Sequence, residues 1–258
     1  MEWKNTDSDG MKVRVYPSAI AAGQAAAEDA AAALRKLAEE RKTIGVIFAT
    51  GSSQFETLRA LTSIPDLPWE KVLGFHMDEY IGIGGNHPAS FRRYLRERLT
   101  SHVSMAEFRE MDGSAKDLEK VRREYIEALS AAEPQMCLLG IGENGHLAFN
   151  DPHEADFEDP EPMKIVTLDR ACREQQLAEN WFSSFDQVPS QALTLTIPTL
   201  LKVPKLIASV PGKRKAAIVR RALHEPISAH CPATVLRTHP DVTLYLDQES
   251  ASALDCAG

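Results

Sequence analysis

No stretch of the sequence comes near the roughly 18 consecutive apolar residues that a membrane-spanning helix requires. Residues 1–10 are polar, with neither the basic start nor the apolar middle of an export signal. Neither membrane insertion nor export is expected, and the chain reads as cytoplasmic. Positive charge is also short: 29 Lys and Arg stand against 37 Asp and Glu, a formal net charge of -8. A protein whose main partner is nucleic acid or an anionic membrane favours a basic face, so neither partner is expected. A small anionic ligand is not excluded, because it needs only a local cluster of donors. The four cysteines, Cys137, Cys172, Cys231 and Cys256, show no Cys-x-x-Cys pairing and no zinc-ligand spacing, so they read as reduced thiols. No internal repeat is visible, and no Pro/Gly/Ser-rich linker divides the chain.

The 258 residues, 43% hydrophobic and 26% charged, suffice for a substantial core and have the balance of an ordinary globular protein. One domain over residues 11–258 is expected, after a flexible extension over residues 1–10. The alternation of Val13 and Val15 predicts a first strand, and the alanine-rich residues 18–41 predict a helix. TIGVIFAT (43–50) is a β-branched apolar run that stops at Gly51-Ser52-Ser53, after which Phe55, Leu58 and Leu61 fall at helical spacing. The same grammar recurs in VLGFHMDEY (72–80) before FRRYLRERL (91–99), and in MCLLGIG (136–142) after the charged helix 115–129. Further strands are expected at 193–197, 206–210 and 242–246, with a helix over 213–224. Strands alternating with helices predict a single-domain α/β fold: a doubly wound, mainly parallel, Rossmann-like sheet flanked by helices. Residues 151–162, acidic and proline-rich, read as a long loop or lid.

In such sheets ligands bind beyond the carboxyl ends of the strands, and three of the most polar strand ends are TGSS, MDEY and GENGH. At Gly51-Ser52-Ser53 a glycine turn, two hydroxyls and a helix N-terminus suit an anion such as phosphate; the same residues would also serve as an ordinary serine cap. Asp78 and Glu79 end an apolar strand, where a shielded carboxylate has a raised pKa and can act as a general base; a solvated strand end is the plainer alternative. GIGENGHLAFNDP (140–152) superficially suggests a dinucleotide loop, but it lacks the acidic residue expected about 20 positions beyond a first βα turn. It places His146 and Asp151 where both could face one pocket. Lys213, Arg214 and Lys215 lie between a strand and a helix, where a lysine can neutralise a phosphate or simply be solvated.

Taken in order, ATGSS, FHMDEYIGI with HPASFRRYL, GIGENGHLAFNDP, VPSQALTLTIPTLL, GKRKA and CPATVLRTHP resemble the glucosamine-6-phosphate deaminase family, relatives of the 6-phosphogluconolactonases. The resemblance runs from about Met11 to Leu254. It implies conversion of glucosamine 6-phosphate to fructose 6-phosphate and ammonia, with no redox cofactor and no metal. Gly51, Ser52, Ser53 and Lys215 would hold the phosphate, Asp78 would move a proton between C2 and C1, and His146 would assist ring opening with Asp151 as its acidic partner.

The chain departs from the family at two supports of the histidine, where many members have aspartate and glutamate and this sequence has Asn144 and Asp151. The family's phosphate-binding arginine lies in an Ala-Asn-x-Arg-Phe-Phe-like stretch absent here, and Arg173 is the nearest substitute. Regulated members carry basic residues after the catalytic loop; here that stretch holds only Lys164, so activation by N-acetylglucosamine 6-phosphate is not expected. A 6-phosphogluconolactonase is the alternative enzyme, although that branch typically has DER and GxDGHTASLFP where this chain has DEY and GHLAFNDP. A sugar-phosphate sensor is a third reading, disfavoured because no basic helix-turn-helix precedes Met11. Glucosamine versus galactosamine and monomer versus homo-oligomer stay open.

Overall fold

The computed structural model describes residues 6–8, 10–178 and 180–254; Cys256 and most of the expected N-terminal extension lie outside them. In chain order the elements are β1 (Thr6–Ser8), β2 (Met11–Tyr16), α1 (Ala19–Glu40), β3 (Ile44–Phe48), α2 (Phe55–Ser63), β4 (Val72–His76), β5 (Asp78–Tyr80), α3 (Phe91–Leu95) and β6 (Glu107–Arg109). They continue with α4 (Leu118–Ala132), β7 (Met136–Leu139), β8 (Met163–Thr167), α5 (Arg170–Ala178), β9 (Gln191–Leu195), α6 (Ile197–Leu201), β10 (Lys205–Ser209), α7 (Ala216–His224) and β11 (Val242–Asp247). Thr6–Ser8, expected to be part of a flexible extension, instead pair antiparallel with β2.

The main sheet has eight strands in the order β1-β2-β11-β10-β7-β3-β4-β6. Apart from the β1–β2 pair, every neighbouring pair in it is parallel. Strands covered on both faces must be apolar on both, and every residue of β3, β7 and β11 is buried. On one face α1 packs through Ala22, Ala26, Ala27, Ala30, Ala31 and Leu34, a row of small side chains that lets the helix lie close to the sheet and to α2. Its start is capped where the Ala21 N–H donates to the Ser18 hydroxyl at 3.2 Å.

Strand order decides where a ligand can sit. From β3 the chain moves outward to β4 and β6; from β7 it moves the other way, to β10 and β11. The connections leaving β3 and β7 therefore diverge, opening a crevice beyond their carboxyl ends, which is the binding position of open α/β sheets. ATGSS and GIGENGH occupy it.

One sequence expectation is corrected. VLGFHMDEY is not one strand, and the segment around 193–197 does not join the main sheet. The chain breaks at Met77, and β5, β9 and β8 form a separate three-stranded antiparallel sheet. Long-range partners impose the break. The buried His76 ring uses Nδ1 against the Asp78 carbonyl at 2.8 Å and accepts the Met111 N–H on Nε2 at 2.7 Å. The Tyr125 hydroxyl donates to the His76 carbonyl, and the Met77 carbonyl accepts from the Leu195 N–H. Among the described residues no helix is long and apolar enough to cross a membrane.

Candidate active site

A cleft of about 640 Å³, open to solvent, lies at the β3/β7 divergence. Its floor begins with the turn after β3. Gly51 has φ 89° and ψ 171°, backbone that essentially only glycine adopts, and this turns the chain abruptly into Ser52 and Ser53. Gln54, fully buried, braces the turn to the neighbouring strand by donating to the Leu139 carbonyl at 3.1 Å, and the Tyr94 hydroxyl donates to the Gly51 carbonyl at 2.8 Å. Lys215 reaches the same cleft from the turn before α7, its Nζ donating to the Ile141 carbonyl at 2.8 Å. Two hydroxyls, a helix start and an ammonium thus share one corner, a donor set for an anion. Arg214, beside it in sequence, pairs with Glu143 instead.

Asp78 enters the cleft because β5 leaves the main sheet. It is 6% exposed, and its Oδ1 makes no hydrogen bond. Burial pushes its carboxyl well above the ordinary aspartate value, and the neighbouring Glu79 charge adds to that shift. Glu79 points elsewhere. It accepts from the Ser90 hydroxyl and the Phe91 and Arg92 N–H groups, and it pairs with the buried Arg92 guanidinium at 3.3 Å. Both carboxylates are buried and both are pushed upward by it, but Glu79 is held by hydrogen bonds and an ion pair, whereas Asp78 lines the cleft with Oδ1 unpartnered.

The loop after β7 supplies the third group. Gly142 makes room for the histidine, since a Cβ there would lie 2.2 Å from the His146 ring. The loop is pinned by the Ala233 N–H on the Gly145 carbonyl, the Phe149 N–H on Thr194 Oγ1, and Asn150 Nδ2 on the Leu147 and Leu195 carbonyls. Ala148, which lines the cleft, has φ 52°, a strained value for a residue with a Cβ. His146 Nδ1 lies 2.8 Å from Asn144 Oδ1 and 3.0 Å from Asp151 Oδ1, and Asn144 Nδ2 donates to the same Asp151 oxygen at 2.8 Å.

The family pattern of glucosamine-6-phosphate isomerases and 6-phosphogluconolactonases matches residues 17–245. The chain belongs to that family. A glucosamine-6-phosphate deaminase of Listeria monocytogenes serotype 4a is 34% identical over 215 residues, covering 83% of this chain and 88% of the relative. One from Oenococcus oeni is 31% identical over 244 residues, covering 95% and 99%. The solved structure of a monomeric glucosamine-6-phosphate deaminase superposes with a TM-score of 0.85 at 31% identity, covering 93% of this chain and 99% of that one. A 6-phosphogluconolactonase from Thermotoga maritima shares the fold, with a TM-score of 0.74 at 19% identity.

For a member of the isomerase/lactonase family, the shortened supports of His146 fall into place. Although Asn144 carries no charge and Asp151 is one methylene shorter than glutamate, Asp151 still touches the imidazole. Burial alone would raise Asp151, yet the His146 contact and the Asn144 amide hold it below the ordinary aspartate value, so it is ionised.

Two expectations about this family member's site are overturned. Arg173 does not line the cleft: its Nε and Nη2 donate to the Val188 and Phe185 carbonyls and the guanidinium stacks 4.1 Å from the Phe185 ring centroid, which holds it to that loop. Residues 151–162 form the expected long loop, but none of them lines the cleft as a lid would; Gln176 on α5 and Trp181 just beyond it form the outer wall, with Phe91 and Phe149. Sequence reasoning missed Gln54, Gln176 and Trp181. Gln54 directly follows the glycine-serine turn, which was a usable signal, whereas Gln176 and Trp181 reach the cleft only through tertiary packing.

Proposed function

We propose that this chain is a glucosamine-6-phosphate deaminase, converting glucosamine 6-phosphate and water to fructose 6-phosphate and ammonia. The carrying observation is the desolvated, unpartnered Asp78 carboxylate in one cleft with the His146–Asp151 pair and the Gly51-Ser52-Ser53/Lys215 corner. A base above the ordinary aspartate range is a stronger proton acceptor than an exposed carboxylate, as removal of a proton next to a carbonyl demands.

The phosphate sits against the hydroxyls and backbone of residues 51–53 and the Lys215 ammonium. His146 gives a proton to the ring oxygen as its bond to C1 breaks and takes back the proton of the C1 hydroxyl, which becomes the aldehyde oxygen. The ionised Asp151 steadies the imidazole in orientation and charge. Asp78 then takes the C2 proton; the C–H electron pair forms the C1–C2 double bond of an enolamine while the C1=O pair moves onto O1, which takes a proton from His146. Return of the proton to C1 leaves an imine at C2, and water hydrolyses it to the ketone and ammonia. Residue roles follow from convergence on one small sugar, where oriented groups gain most. A cytoplasmic setting in amino-sugar breakdown belongs to the same reading, supported by Cys137, Cys172 and Cys231, which are buried and free of disulfides.

The test is a coupled assay for fructose 6-phosphate and ammonia, run with glucosamine 6-phosphate and, separately, lactone hydrolysis with 6-phosphogluconolactone. Stoichiometric release of both products from the aminosugar is expected. Turnover of the lactone alone would refute the assignment.

A further inference from the structure

Cys172, on α5 and 1% exposed, is the side chain beside His146 and Asp151 that the deaminase reading leaves without a task. Its Sγ, a His146 ring nitrogen and an Asp151 carboxylate oxygen all lie within 4.8 Å of one another. Asp151 is fully buried, its Oδ2 makes no hydrogen bond of good geometry, and the Cys172 thiol is the group that approaches its carboxylate from α5. The three donors are one sulfur, one nitrogen and one anionic oxygen. Such a mixed set suits a borderline-soft divalent ion and does not suit magnesium or calcium, which seek oxygen ligands.

We propose that His146, Asp151 and Cys172 form an inhibitory site for zinc or a similar divalent transition-metal ion. His146 Nδ1 and Asp151 Oδ1 stand 3.0 Å apart, close to the separation of about 3.3 Å between two ligands of one tetrahedral zinc. An ion bridging them takes the place of their direct contact. The Asn144 amide already holds Asp151 Oδ1 as an outer support of the kind that orients metal ligands. His146 lines the cleft, so an ion can reach the site by the substrate's route. With Nδ1 and Asp151 both on a metal, the imidazole loses the carboxylate that steadies its charge and faces a cation instead, so it can no longer hold the proton it gives to the ring oxygen, and ring opening stops. The loss of activity rests on the deaminase reading; the binding itself does not.

The experiment titrates cobalt(II), a spectroscopic stand-in for zinc, into the wild-type protein and into Cys172→Ser and Cys172→Ala. A thiolate-to-cobalt charge-transfer band saturating at one ion per chain is expected in the wild type and absent from both variants, with zinc abolishing it by displacement. In the product assay, both variants keep basal turnover but need at least about tenfold more zinc for half-inhibition. Magnesium should do nothing. Absence of the band, or its persistence in both variants, overturns the site. A band at one ion per chain with full deaminase activity overturns the inhibition while leaving the binding intact.

Discussion

Replacing Asp78 with asparagine keeps the shape of the side chain while removing both its basicity and its buried charge, so one substitution tests two consequences of the same desolvation. On the chemical side, an amide cannot accept the C2 proton, and loss of a single general base costs about 10²–10⁴-fold in kcat. On the stability side, folding raises the Asp78 pKa, mainly through burial and then through the Glu79 charge. A group whose folded pKa is raised favours the folded state below its unfolded pKa, and that contribution is lost as pH rises through the folded value. The wild type therefore carries a penalty at neutral pH that it does not carry in acid. Removing the charge should return at least about 1 kcal/mol, a rise of about 2–4 °C in Tm for a chain of this size. Thermal melts of wild type and Asp78→Asn across the carboxylate range, paired with the product assay, give both readouts. The difference in Tm should be small in acid and grow with pH. A variant keeping more than roughly half the wild-type kcat would exclude the base role, and a Tm difference independent of pH would exclude the desolvation account.

Lys215→Ala should raise KM for the phosphorylated sugar by about 10–100-fold with a smaller change in kcat, because phosphate is held alike in ground and transition states; an unchanged KM would make Lys215 a bystander. His146→Gln should slow the cyclic substrate more than C2 proton exchange in an open-chain analogue, because only the cyclic one also needs His146 for ring opening; equal loss on both would exclude the ring-opening role. Gly142→Ala places a Cβ 2.2 Å from the His146 ring and should lower kcat at least about tenfold with folding preserved; near-wild-type kcat would show that the ring's position is not critical. Glu79→Ala removes the acceptor of the Ser90 hydroxyl and one acceptor of the buried Arg92 guanidinium, which keeps Asp112 and the Ile83 carbonyl, and should cost about 1–3 kcal/mol in urea unfolding, a loss absent if Glu79 is merely a solvated charge.

What could be read directly from the sequence was local. The alanine-rich helix, the apolar strands and their polar ends are written in short-range periodicity, and they fall within a few residues of α1, β3, β7, β10 and β11. The glycine-serine turn and the His146 loop were also legible, because backbone that only glycine adopts and a histidine set in a glycine-rich turn are local features. Arg173 misled because proximity in sequence to the absent arginine motif says nothing about which carbonyls its guanidinium will meet.

The sequence alone determined the α/β grammar and the three strand-end motifs that line the cleft, since each depends on neighbours within a few positions. Only the tertiary structure decided that Asp78 leaves the main sheet after Met77, that Glu79 is consumed by Arg92, and that Gln176 and Trp181 wall the cleft. Those outcomes depend on hydrogen bonds and packing between residues far apart in the chain, such as His76 with Met111 and Met77 with Leu195, which no local periodicity encodes.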